Sequence, residues 1–138
     1  MYFCGMENEK IDIEKIANHW ISRSDSDFET MNNLIKSKDF HWALFLGHLV
    51  IERLLKAIFV KKTGTHAPLT HDLRRLAKLS ELTLEDEHKR WLDTISTFNI
   101  NARYDDYKQD FYRKCTPEYA TTWFTNIKTI REWIKTKL

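Results

Sequence analysis

The chain has 138 residues, enough for one domain with a buried core. An apolar share of 42% and an aromatic share of 13% exclude a disordered segment, while only three Gly and two Pro argue against a sandwich or barrel of many short strands. The net charge of +2 is spread as −3 over residues 1–40, +2 over 41–102 and +3 over 103–138, which excludes a strong non-specific nucleic-acid binder and fits a small anionic ligand or a local RNA contact.

The first stretch, Met1–Met6, lacks the apolar core of a signal peptide, and residues 1–8 are expected to fray. Ile13, Ile16, Ala17, Trp20 and Ile21, then Phe28, Met31, Leu34 and Ile35, recur at helical spacing and predict one long helix over 9–36. Ser26 with Glu29 is a candidate capping box within it. Asp39 caps a second helix that runs to Lys62 and stops at Gly64. That helix is apolar nearly all round, which marks it as central. His41, His48, Glu52, Arg53 and Lys56 interrupt Phe40–Val60, so it is no membrane span. A loop holding Pro68 leads to Thr70 or Asp72 as the cap of a short helix over 72–80, with Leu73, Leu76 and Leu79 inward. Thr83 opens a helix over 84–98, residues 99–114 read as a long connecting loop, and Thr116-Pro117 starts a last helix to the C-terminus. The expected fold is all-α: a single domain over 1–138, an up-and-down bundle of four long helices plus one short helix.

The chemistry-bearing residues are few. His41, His48, Glu52 and Lys56 fall in one sector of the central helix at 100° per residue. The simpler reading is a solvent face on which Glu52 and Lys56 pair; the functional reading is a polar line facing a cleft or partner. His48 and Glu52 have the spacing of metal ligands, but two candidates on one helix do not make a site, and no metal or cofactor is expected. Cys4 and Cys115 match no metal spacing and no disulfide is expected, so a reducing cytoplasm is the natural setting. Arg113 and Lys114 flank Cys115, but no neighbouring His offers a base for a nucleophilic thiolate. Gly47, alone inside a helix, points to a close helix crossing. Asp72 or Thr70 most simply caps its helix, and His71 is expected to support the preceding loop. Trp20, Trp42, Trp91, Trp123 and Trp133 are spread over four helices and read as core or dimer surface, with Trp42 and Trp133 as candidate exposed contacts.

Five segments taken in order carry a further signal: Trp20, "SDFETMNNLI", "HLVIERLLKAIF", "THDLRRLAKL" and "NARYDDY". The combination of Glu52 and Lys56, His71-Asp72-Leu73 and Arg103-Tyr104 resembles the HEPN family, over about residues 18–135. The resemblance implies a helical bundle, commonly a homodimer, that often accompanies a minimal nucleotidyltransferase in toxin–antitoxin pairs. Many members of that family are metal-independent RNases, marked by an Arg followed after about four to six residues by a His. Arg103 matches that Arg, but Lys108, Gln109 and Asp110 stand where the His is expected. The expectation is therefore a non-catalytic domain that binds a nucleotide or RNA and pairs with a nucleotidyltransferase. Arg103 would take phosphate, Lys56 would be a second cation, Tyr104 or Tyr107 would stack or bond a hydroxyl, and Glu52 and His48 would orient them. Glu52 is alternatively a strut, ion-paired to Arg103 so as to anchor its loop. An RNase with a variant site and a purely structural dimerisation module are the competing expectations.

Overall fold

The computed structural model describes residues 12–138. The expectations for residues 1–8, for Cys4 and for a helix onset at residue 9 fall outside that range. Among the described residues there are six helices and no strand: α1 (Ile13–Lys36), α2 (Phe40–Thr63), α3 (Leu73–Leu79), α4 (Asp86–Arg103), α5 (Asp105–Lys114) and α6 (Pro117–Lys135). None of these is long and apolar enough to cross a membrane.

The helix ends follow local chemistry. Asp12 caps α1 by accepting the Lys15 N–H at 3.1 Å, and Asp72 caps α3 by accepting that of Arg75 at 3.1 Å. Thr116 accepts the Tyr119 N–H at 3.2 Å, with Pro117 opening α6. Gly64 ends α2 with a left-handed φ of 69°. Two assignments change. Helix α1 runs unbroken through Ser26, so that residue caps nothing; apolar residues on both sides of it hold the helix in register. Asp39 stands at the start of α2 without capping it, because its carboxylate accepts the Ser37 hydroxyl at 2.6 Å instead.

Helix α2 is central: it packs against every other helix, and Leu44, Val50, Ile51, Leu54, Leu55 and Ile58 are fully buried on several of its sides. Gly47 lets α6 approach, since a Cβ there would collide with Cδ1 of Ile127 and lie 3.3 Å from the Met31 sulfur. Trp42, Trp91, Trp123 and Trp133 are half-buried against this core, so neither Trp42 nor Trp133 is an exposed contact, and Trp20 is half-buried on α1. Leu79 turns outward, 38% exposed, and Ala77 fills the inner face of α3 in its place.

The largest correction concerns 99–114. The segment is helical almost throughout, as the end of α4 and all of α5, with only Tyr104 extended between them at φ −95° and ψ 132°. Tyr104 donates its N–H to the Ile100 carbonyl at 3.1 Å and accepts the Lys108 N–H at 2.9 Å, so it ends one helix and begins the next. Ala102 and Phe111 hold the two arms to the core, Phe111 with its ring centroid 5.5 Å from that of Phe98. Helix α4 also starts later than residue 84, because Leu82 and Leu84 pack against the core in the connection before it.

Candidate functional site

Of the α2 polar stripe, His41 is half-buried at a surface cleft, and the other three residues do not face solvent. His48, Glu52 and Lys56 are 0%, 4% and 6% exposed, covered by α1, the 64–72 loop and α4. Glu52 is the hub. One carboxylate oxygen accepts Lys56 Nζ at 3.1 Å, and the other accepts Nδ1 of His71 at 2.7 Å. Lys56 is further enclosed by Trp20, whose ring centroid lies 5.1 Å from Nζ. The expected Glu52–Arg103 strut is absent: Glu52 is occupied by Lys56 and His71, and Arg103 turns to Asn99.

Arg103 donates from Nε to the Asn99 carbonyl at 3.1 Å and from a terminal nitrogen to the Asn99 side-chain oxygen at 2.5 Å. A guanidinium only donates, so the amide oxygen of Asn99 faces Arg103 and its NH₂ faces the other way. There, 3.4 Å off, lies Nδ1 of His48, which must accept. Nε2 of His48 therefore carries the proton and donates it to the His71 carbonyl at 3.0 Å. The neutral imidazole is favoured, because burial lowers the His48 pKa; the His71 carbonyl and Glu52 oppose that shift, and His71 and Arg103 add to it. One chain of bonds thus joins Arg103, Asn99, His48 and the His71 backbone, while Glu52 holds the His71 ring. Both nitrogens of His48 are committed, and among the described residues no three His, Cys, Asp or Glu side chains form a metal set.

The outer end of this network opens into a cleft of about 520 Å³, lined by His71, Asp72, Asp93, Ser96, Thr97, Asn99, Ile100, Arg103 and Tyr104. Arg103 and Tyr104 come together there, the guanidinium 5.4 Å from the ring centroid. His71 and Asp72 join them. The His71 side chain is 61% exposed; its Nδ1 proton is given to Glu52, which leaves Nε2 as the open ring nitrogen. Lys56 is walled off behind Trp20 and Glu52, and Tyr107 is exposed but outside the cleft. His48 and Glu52 hold other groups in place without lining the cleft.

Lys108 and Gln109 line a separate cleft with His41 and Tyr112. Lys108 lies 5.4 Å from the Trp42 ring centroid, and Asp110 pairs with Arg113 at 3.6 Å. Cys115 is 7% exposed, and burial pushes its thiol up to about 12 against the pull of Lys114, so it is no thiolate nucleophile. Sequence reading missed Asn99, Ser96 and Asp93. Their signal is Asn99 one turn before Arg103, visible only once the segment is taken as helix.

Comparison with known proteins adds one finding. A family model described as the HEPN domain matches residues 17–137. No curated protein and no solved structure matches the chain.

Proposed function

This chain belongs to the HEPN domain family, and from that premise we propose that it binds a nucleotide or an RNA phosphate in the Arg103 cleft without cleaving it. One observation carries the reading. Arg103 is exposed, and its acceptors among the described side chains are confined to Asn99, which orients the guanidinium without neutralising it. Remaining N–H donors are then available for a phosphate, in the planar arrangement that suits phosphate oxygens. Tyr104 offers an exposed ring beside it for a base, and the Ser96 and Thr97 hydroxyls suit a ribose. A homodimer and a nucleotidyltransferase partner belong to the same reading. Exposed Tyr107 and Tyr112 on α5, outside the Arg103 cleft, support an interface on that helix.

Calorimetry with AMP, ATP, GTP and short RNAs tests this. Binding of at least one, weakened about tenfold or more in Arg103→Ala, is the expected result. No heat with any of them leaves only the structural dimerisation module, and sedimentation as a monomer removes the dimer. Co-expression with the neighbouring gene tests the partner: failure to co-purify a nucleotidyltransferase removes it.

A second reading, an RNase with a variant site, is favoured by His71 in the same cleft. Its open Nε2, with Glu52 behind Nδ1, has the arrangement of an oriented general base. Nε2 would take the proton of a 2′-hydroxyl as O2′ bonds to phosphorus. The P–O5′ bond would break and O5′ would take a proton from water, leaving a 2′,3′-cyclic phosphate and a 5′-hydroxyl. RNA left intact by the wild type, or cut equally by His71→Ala, discards this reading.

A further inference from the structure

A second cleft adjoins the first. It measures about 650 Å³ and is lined by Arg74, Arg75, Lys78 and Lys89 around Leu82, Thr83 and Leu84. Asp72 and Asp93 line both clefts and form the ridge between them. We propose that the two clefts form one track for a single-stranded oligonucleotide, with Arg103 at one end and Arg75, Lys78 and Lys89 at the other. This rests on the nucleotide reading of the Arg103 cleft and names the class of ligand it takes: a strand rather than a mononucleotide.

Helix α4 sets the direction of the track. Lys89, Asp93, Ser96, Ile100 and Arg103 recur at intervals of four and three, with Thr97 beside Ser96, so one face of α4 lies along both clefts. From Lys89 to Arg103 that face extends about 21 Å at 1.5 Å per residue. A strand stacked at about 3.4 Å per nucleotide covers that length with about six nucleotides. Short helix α3 supplies the opposite wall. Arg74, Arg75 and Lys78 are exposed on it, with Arg74 and Lys78 one turn apart. Its placement is fixed: Ser96 of α4 accepts the Leu73 N–H at 3.0 Å, and Ser80 donates to the Leu55 carbonyl at 3.4 Å.

The charge balance favours a polyanion despite the two aspartates. Asp93 is paired with Arg74 at 2.8 Å, and the Asp72 carboxylate is engaged by the backbone of its own helix. Lys89 meets Asp86 only at 4.0 Å, an exposed pair that contributes little and exchanges readily. Arg75 and Lys78 have no carboxylate within pairing distance among the described residues. Nucleic acid fits better than an acidic peptide, because apolar surface alternates with the cations. Leu82 and Leu84 lie in one cleft, and Ile100, 49% exposed, with Tyr104, 53% exposed, in the other, as bases between phosphates require.

The test is fluorescence anisotropy with a labelled hexaribonucleotide, competed by AMP and by a hexaglutamate peptide, over a series of salt concentrations. The hexamer is expected to bind at least about tenfold more tightly than AMP. Its log affinity should fall with log salt at a slope of about −2 to −3, as three to four single-strand phosphate contacts give. Arg75→Gln with Lys78→Gln, both exposed changes, should flatten that slope by about 1.4 and leave AMP affinity unchanged. Equal affinity for hexamer and AMP, or an unchanged slope in the double variant, overturns the track and leaves the Arg103 site standing. Loss of AMP binding in that variant also overturns it, since one site would then take both. Hexaglutamate competing as well as the hexamer overturns the nucleic-acid assignment. Hexamer binding indifferent to Arg103→Ala overturns the Arg103 reading itself.

Discussion

Arg103 carries the proposed phosphate contact, yet Asn99 decides where Arg103 points. Asn99 is 3% exposed and spends both ends of its amide, the oxygen on Arg103 and the NH₂ on His48. The two residues should therefore differ sharply on truncation. Asn99→Ala leaves Nδ1 of His48 buried without a donor, at a cost of about 1–3 kcal/mol. Arg103→Ala exposes its Asn99 partner atoms at the cleft wall, where water replaces the guanidinium, and should cost under about 1 kcal/mol. Urea unfolding of both variants and the double variant checks this. The double should fall short of the sum, because the residues act through one chain of bonds. Equal losses that add would show that the bonds do not form a unit.

At the scale of elements, helices α1 and α3 end in the same way with unsuited residues. Asp39 donates its N–H to the Leu34 carbonyl at 2.9 Å and Lys38 to that of Ile35 at 3.0 Å; Leu82 and Glu81 repeat the pattern on Ala77 and Lys78. This double closure needs a left-handed residue, supplied here by Lys38 at φ 66° and Glu81 at φ 60°. A non-glycine residue there costs about 1–2 kcal/mol, against about 0.4–1 kcal/mol of unfolded-state entropy that glycine would add. Lys38→Gly and Glu81→Gly should each stabilise the fold by about 0.5–1 kcal/mol, raising the urea midpoint without changing its slope. A lowered midpoint would refute the strain argument. Neither position was legible beforehand, since nothing in Lys or Glu advertises positive φ, whereas Gly64, Asp72 and Thr116-Pro117 announced their caps. The same limit explains α5. Residues 104–114 hold few apolar positions, and the dense Asp, Lys and Tyr content read as a loop; Phe111 and Cys115, one turn apart and buried, are what hold it as a helix. Burial of the α2 polar stripe was illegible for a related reason: its cover comes from Trp20, His71 and Asn99, which lie on three other segments of chain.

Across the whole molecule, the groups that build the site also tie its segments together, so fold stability and site geometry should titrate jointly. His48 joins α2, the 64–72 loop and α4 in its neutral form, and burial holds its pKa below the ordinary 6.5. His41 is also pushed down, first by burial and then by Lys108, against Asp39. In the unfolded chain both histidines take up protons near pH 6.5; in the folded one they resist. Below about pH 6.5 the unfolded state therefore binds more protons, and stability should fall as pH drops, until the folded histidines protonate in turn. Above about pH 7.5 their contribution is flat. For His48 the slope is at most about 1.4 kcal/mol per pH unit. Urea unfolding between pH 7.5 and 5.5 measures this, and His48→Gln separates the causes. Its amide can donate to the His71 carbonyl and accept from Asn99 but does not titrate, so it should flatten the slope even if it lowers stability at pH 7.5. An unchanged slope would exclude His48 as the titrating group. Protonated His48 would also present a donor to the Asn99 NH₂, turning that amide and releasing Arg103, so phosphate binding should weaken over the same interval.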